Sequence, residues 1–287
     1  MELQNMDILE RIHASYYQLT ATERKVADYV LANHAQVQFM SITQLADECG
    51  TADATISRFC RSLRLKGFNT FKLELARHAA ASSAAEFARR QETADYDTPE
   101  GRCREIGRFN QEAVSQTIEL VNHKSVEKAV ELMEKAGKVI SMGAGSSMIM
   151  AGEFASLFSA VSGKFFTVAD SQLQMSAVAT MGSGDVVVML SYSGATTSSL
   201  QILELARSRG VATILITRYP QSPAASLADV VLLCGSNESP VQQGSVRAKV
   251  AQLVVMDVLY QEFCCRNRET CQENLQSIAE ALTGMHV

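Results

Sequence analysis

The chain has 287 residues, 47% of them hydrophobic and 20% charged, with a net charge of −5. At about 150 residues per domain this is room for roughly two domains, each long enough to bury a core. The composition excludes a disordered, collagen-like or low-complexity polymer. The acidic balance excludes a protein that is basic all over, while leaving a local basic patch open.

Residues 1–10 carry Glu2, Asp7 and Glu10, with no basic start ahead of an apolar run. No secretory signal is therefore expected. No stretch approaches 18 apolar residues, so no membrane partner is expected either. Seven cysteines, at 49, 60, 103, 234, 264, 265 and 271, form no C-x-x-C pair. Scattered, odd-numbered thiols predict reduced and mostly buried cysteines in the cytoplasm, with Cys264 and Cys265 in the core side of a late helix. Neither a cofactor nor a metal is expected.

Charge is unevenly spread. Residues 58–77 hold Arg58, Arg61, Arg64, Lys66, Lys72 and Arg77 against Glu74 alone, and the segments on either side are acidic. Such an island is usually a solvated helix face, but its surroundings here suggest more.

Leu19, Val26, Ala27, Val30 and Leu31 fall at helical spacing. Thr20 followed by Glu23 reads as a capping box, which predicts a helix over 21–33. Ser41 to Gly50 predicts a short helix closed by Gly50, which can take the left-handed conformation that ends helices. Thr51 then caps a helix over 52–64. Two short helices joined at a glycine make a helix-turn-helix. Ala46 is small where the second helix crosses, and Ile56 lies on its inner face.

At 100° per residue, Ile56, Phe59, Cys60 and Leu63 share one face of the second helix. Ala54, Ser57, Arg58 and Arg61 share the other. A recognition helix needs small residues for close approach and arginines for guanine edges or phosphates. Thr51, Thr55 and Lys66 complete the candidate DNA contacts, and Lys72 is a further candidate against the phosphate backbone.

Residues 79–85 are Ala- and Ser-rich and pass into a polar stretch ending at Pro99. This reads either as a hinge between domains or as an extension of the preceding helix. Helices over 100–121 and 124–136 follow. The expected boundaries are 1–78 for the helix-turn-helix domain, 79–123 for a linker and connecting helix, and 124–287 for a third segment of different character.

That segment alternates short apolar runs with helical stretches. The runs are 139–142, 165–168, 186–190, 212–216 and 230–233. Runs apolar on both faces read as buried parallel strands, and the alternation implies a doubly wound α/β sheet. Residues 143–147 follow the first strand and residues 191–196 the third, each loop opening a helix. In strand order 2-1-3-4-5 these loops flank one crevice at the switch point, where such sheets bind ligands. Gly143, Gly145 and Gly194 allow close backbone approach. Ser147, Ser191, Ser193 and Thr196 offer hydroxyls, and neither loop contains Lys or Arg. An anion there would be held by hydroxyls and helix N-termini. A dinucleotide is the rival ligand, with Asp170 as its ribose acid. The third fingerprint glycine is missing, however, and Asp170 equally reads as a cap for a helix starting near 171.

Residues 41–71 resemble the RpiR/HexR family of bacterial transcription regulators, with Arg58, Phe59, Cys60 and Arg61 followed by Lys66, Gly67 and Phe68. The loops at 143–147 and 191–196 resemble the sugar isomerase (SIS) domain that completes that family. The resemblance implies an all-α helix-turn-helix domain followed by a flavodoxin-like α/β SIS domain with a five-stranded parallel sheet. It also implies a homodimer or homotetramer, a double-stranded DNA operator, and a phosphorylated sugar or sugar acid as effector. Carried over, the phosphate contacts are Gly145, Ser146, Ser147, Ser191, Ser193, Gly194 and Thr196. Ala195 and Thr197 depart from HexR-like members, which tend to be basic there, so the effector need not be theirs.

A sugar-phosphate isomerase is the alternative from another class. It needs a base near the sugar, yet no histidine lies between 138 and 285. Glu153 and, more weakly, Glu238 are the remaining bases, and Glu153 equally serves to orient a sugar hydroxyl. A sugar-binding adaptor without DNA affinity is a third reading. On the regulator reading, the sugar shifts a dimer between two arrangements that space the recognition helices differently. A helix over 241–264 packs Val250, Leu253, Val254, Asp257, Val258 and Tyr260 against the sheet or a partner. Gln242, Gln243 and Ser245 at its start approach the ligand.

Overall fold

The computed structural model describes residues 6–91, 98–235 and 245–283. Contacts divide the chain into two units, one drawn chiefly from residues before Phe109 and the other from Phe109 onward. Glu238, Gln242 and Gln243 lie outside the described residues.

The first unit is all-helical. Helix α1 (Ile8–Ser15) is capped by Asp7, whose carboxylate accepts from the Leu9 N–H. Helix α2 (Ala21–Val37) opens with the expected capping box, in which Thr20 and Glu23 bond reciprocally. It passes the expected end near 33. Asn33 is non-helical there (φ −130°, ψ 24°), but its side-chain amide donates to the Tyr29 carbonyl at 3.0 Å, and the helix resumes to Val37. Helix α3 (Ile42–Glu48) also starts with a capping box, between Ser41 and Gln44.

Gly50 takes φ +59°, and α4 (Asp53–Ser62) follows. The cap of α4 is Ala52, not Thr51 as expected. The Thr51 N–H is spent on the Ala46 carbonyl in the turn, and its hydroxyl is buried without a partner. Ile56, Phe59, Cys60 and Leu63 are all buried, as the helical wheel requires. Phe59 meets Phe71 edge to face at 5.5 Å, which fastens α4 to helix α5 (Phe68–Gln91). The Ala-rich run at 79–85 therefore extends this helix.

Helix α6 (Pro99–Leu120) begins at a proline, whose missing N–H is harmless in a first turn. Helix α7 (His123–Lys135) leads into the second unit. This is a three-layer α/β fold. Its strands are β1 (Lys138–Gly143), β2 (Phe165–Thr167), β3 (Asp185–Leu190), β4 (Ala212–Thr217) and β5 (Val230–Leu233). All pair in parallel, in the order β2-β1-β3-β4-β5. Between them lie α8 (Ser146–Ser159), α9 (Ser171–Thr180) and α10 (Thr197–Ser208), and after β5 come α11 (Val246–Arg266) and α12 (Arg268–Leu282).

Alternate residues of each inner strand feed two cores. Val186, Val188 and Leu190 meet α7, α8 and α11, and Val187 and Met189 meet α9 and α10. Burial on both sides explains why these strands read as unbroken apolar runs. Phe154, Phe158, Phe165 and Phe263 form an aromatic cluster in the core, with Phe158 4.4 Å from Phe154 and 4.7 Å from Phe165. Each such ring contributes roughly 1.5–3 kcal/mol by burial.

The expectations for α11 have a mixed outcome. Its buried residues are Ala248, Ala251, Gln252, Val255, Met256, Leu259 and Phe263, with Val258, Tyr260 and Cys264 partly buried against the same core. Of those expected to pack, Leu253 is 41% exposed and Asp257 is exposed, whereas Tyr260 does reach the ring of Phe158. Leu253 and Asp257 thus lie on the side of α11 away from the core, the side the expectation left to a partner. Cys265 is exposed and Cys264 half-buried. Successive helix residues point 100° apart, and Phe263 already fills the core position. Among the described residues no helix is long and apolar enough to cross a membrane, and no group of three His, Cys, Asp or Glu side chains is placed to hold a metal ion.

Candidate functional site

Helix α4 presents one candidate site. Ala54, Arg58 and Arg61 are exposed along its outer face, Ser57 is half-exposed, and Lys66 is exposed just beyond the helix end. Thr55 is buried instead. Its hydroxyl accepts from the Arg58 guanidinium at 3.3 Å, so it steers Arg58 rather than facing outward. Lys72 is also turned inward. Its ammonium donates to the Met40 carbonyl at 3.0 Å and lies 5.7 Å from the Phe68 ring, and burial lowers its pKa.

Glu23, expected only as the partner of Thr20 in a capping box, also ties α2 to the end of α4. Its buried carboxylate accepts from the Ser62 hydroxyl at 2.8 Å as well as from Thr20. Burial works to raise its pKa. The hydrogen bonds from Thr20 and Ser62, with the nearby Arg58 charge, outweigh burial and hold it below its ordinary value of 4.5. A depressed folded pKa gives stability that is present above the unfolded pKa and lost as pH falls through the folded one. In urea titrations at stepped pH, the parent is expected to lose more stability than Glu23→Gln as pH drops below 4.5.

The second site lies where the β1 and β3 carboxyl ends adjoin, with Gly143 paired to Leu190. β1 leaves through Gly143, Ala144 and Gly145 into α8. A Cβ on Gly143 would stand 2.7 Å from the Ser147 carbonyl oxygen, so the first turn of α8 passes directly over this glycine. Gly145 is the N-cap at φ +57°, which leaves α8 without a side-chain cap. The second loop holds Gly194 at φ +60° and ends at Thr196, the N-cap of α10, whose hydroxyl makes no capping bond. By contrast, α7, α9 and α11 are all capped by side chains, from Asn122, Asp170 and Ser245. Two helix N-termini, each equivalent to about half a positive charge, thus open toward the same crevice with their side-chain caps missing.

Ser191 gives the clearest chemical signal. It is 2% exposed and its hydroxyl has no hydrogen-bond partner. An unsatisfied buried hydroxyl costs about 1–3 kcal/mol, so its place in a tight loop needs a reason. Ser193 accepts weakly from the Ala195 N–H at 3.3 Å. Ser146 and Ser147 are half-exposed in the first turn of α8, and Thr196 is exposed. Glu153 is exposed and lies about 10 Å further along α8 from Ser146 at 1.5 Å per residue. Asp170 Oδ1 accepts from the Gln172 and Leu173 N–H groups, both at 2.9 Å, as the expected cap of α9. Ser245 likewise caps α11.

Both loops are braced by residues with no expected role. The buried amide of Gln174 donates to the Gly143 carbonyl at 3.0 Å and the Val168 carbonyl at 2.8 Å. From β4, the Thr217 hydroxyl and the Arg218 N–H both donate to the Tyr192 carbonyl.

Residues 6–82 match the family described as helix-turn-helix domain, rpiR family, and residues 132–261 match the SIS domain. The HTH-type transcriptional regulator HexR of Escherichia coli is 30% identical over 281 residues, covering 96% of this chain and 94% of its own. This chain belongs to the RpiR/HexR family of transcriptional regulators. The HTH-type regulator TTE0211 of Caldanaerobacter subterraneus subsp. tengcongensis is 32% identical over 256 residues, covering 88% of this chain and 89% of its own. The structure of the Vibrio vulnificus NanR protein complexed with ManNAc-6P matches with a TM-score of 0.78 at 25% identity, covering 98% of this chain and 100% of that one. As an RpiR/HexR member the chain is a regulator rather than an enzyme. Its α4 is the second helix of the helix-turn-helix, and its crevice belongs to the SIS domain.

Proposed function

We propose that this RpiR/HexR regulator grips a duplex operator through α4 and responds to a phosphorylated sugar or sugar acid held between the β1 and β3 loops. The observation that carries the effector reading is the buried, unpartnered hydroxyl of Ser191 between two helix N-termini that lack side-chain caps. A phosphate supplies what all three lack: oxygens that accept from the hydroxyl and from the free N–H groups. Ser146, Ser147, Ser193 and Thr196 add hydroxyls, Gly145 and Gly194 let the backbone approach, and Glu153 orients a sugar hydroxyl. The NanR structure, a complex with a phosphorylated sugar, supports the ligand class.

On the DNA side, Ala54 and Ser57 allow close approach, Arg58 and Arg61 reach bases or phosphates, and Lys66 neutralises a phosphate. Thr51 and Thr55 shape the helix from within. The regulator acts in the cytoplasm as a homodimer or homotetramer, and the effector shifts it between arrangements of different operator affinity.

A melting-temperature panel of sugar phosphates and their unphosphorylated counterparts tests the effector. A true effector at a hundred times its Kd stabilises the native state by about 2.7 kcal/mol, and the bare sugar does not. No shift with any phosphorylated sugar or sugar acid overturns the reading. On the DNA side, Arg58→Ala with Arg61→Ala is expected to keep the fold and weaken operator binding in gel-shift titrations. Unchanged affinity overturns the assigned face.

A further inference from the structure

Three helices in this chain end with the same pair of backbone bonds. At the end of α3, Gly50 donates to the Asp47 carbonyl at 3.0 Å and Thr51 to Ala46 at 2.9 Å. At the end of α10, Gly210 donates to Arg207 at 3.2 Å and Val211 to Ala206 at 2.9 Å. At the end of α4, Arg64 donates to Arg61 at 2.8 Å and Leu65 to Cys60 at 2.9 Å. This closure places its pivotal residue in the left-handed region, where glycine is at no disadvantage and other L-residues are strained. Gly50 and Gly210 follow the rule, at φ +59° and +69°. Arg64 breaks it, at φ +59°, as the one non-glycine residue with positive φ among those described.

The Arg64 side chain does nothing to offset that strain within the fold. It is exposed, and no acid or carbonyl holds its guanidinium among the described residues. Strain that persists without an internal return points to a function. Arg64 lies three residues beyond Arg61 and two before Lys66, both exposed and likewise without an ion pair among the described residues. Together with Arg58, these are four exposed cations within nine residues along and just past the end of α4.

We infer that Arg64 is a DNA-backbone contact that carries the footprint past the end of the recognition helix, a role in which charge matters and base sequence does not. This rests on α4 being the DNA-facing helix, and the test separates the two ideas. The full chain is titrated with a labelled random-sequence duplex at stepped salt, since phosphate contacts are sequence-independent.

Arg64→Gly and Arg64→Asn suit the left-handed backbone but lack the charge, and Arg64→Lys keeps the charge. Arg64→Gly is expected to melt at or above the parent temperature, yet to bind more weakly. Its salt slope is expected to fall by about 0.9 for each Arg64 engaged. Arg64→Asn should behave like Arg64→Gly, and Arg64→Lys should keep most of the slope. If Arg64→Gly and Arg64→Asn retain both affinity and slope while Arg58→Ala loses affinity, the inference fails and the DNA face stands. If Arg58→Ala with Arg61→Ala and Lys66→Ala also binds like the parent with an unchanged salt slope, the DNA face itself fails.

Discussion

Ser191→Ala is expected to leave the melting temperature of the free protein unchanged or slightly raised, while weakening the phosphorylated effector by about tenfold to a hundredfold. The two halves of that result have one cause. The hydroxyl is buried without a partner, so its removal deletes an unsatisfied group and breaks no bond in the unliganded domain. Against a bound phosphate it makes a charge-assisted hydrogen bond, worth roughly 1.5–3 kcal/mol. Calorimetry with the effector found by the melting panel reads the affinity, and a thermal scan reads the stability. A fall in melting temperature with undiminished affinity would mark Ser191 as structural and would falsify the phosphate site as drawn.

Gly143→Ala has a large expected effect on the sheet domain and on the effector loop together. Its new methyl would meet the Ser147 carbonyl oxygen at 2.7 Å, the Ser147 carbonyl carbon at 2.8 Å and the Leu190 oxygen at 3.1 Å. All three are backbone atoms in packed elements, so the first turn of α8 must move away from β1. Overpacking of this kind costs about 1–3 kcal/mol, and the shift displaces Ser146 and Ser147. Effector response should be lost, with binding to duplex DNA retained. Gly152→Ala on the same helix is the control: a methyl there meets nothing within 4 Å. It should stabilise the domain by about 0.4–1 kcal/mol, because alanine loses less backbone freedom on folding. Equal outcomes for the two substitutions would dismiss the steric argument.

Much of this could be read from the residues because single elements carry strong local signals. The five strands were legible as five apolar runs, whereas their order entered only as a condition and through the flavodoxin-like resemblance; the sheet has that order. The Thr20 and Glu23 pairing and the glycine at 50 marked their helix ends for equally local reasons. What escaped reading depends on three-dimensional context. The Ala-rich run at 79–85 suits a hinge or a helix, and only its continuity with Phe71 and Leu75, which are anchored in the core, makes it helical. α11 is apolar on more than one side, so its valines and leucines did not reveal which of them the core takes. Thr51 and Thr55 looked outward by composition, yet the turn at Gly50 and the reach of Arg58 draw them in. Gln174 is an ordinary helical glutamine until α9 packs beneath β1 and its amide finds the Gly143 carbonyl. The left-handed backbone of Arg64 leaves no trace in a string of letters.

The exposed cations along and beyond α4 belong to a chain whose net charge is −5. On the proposed DNA face, a polyanionic duplex is drawn to these cations, while the acidic balance of the chain opposes its approach as a whole. If that face is the one that meets DNA, collisions are sorted before contact forms, the protein turning so that α4 leads. The sorting acts within a Debye length of about 8 Å at physiological ionic strength. Brine would therefore slow capture of the duplex more than it hastens escape.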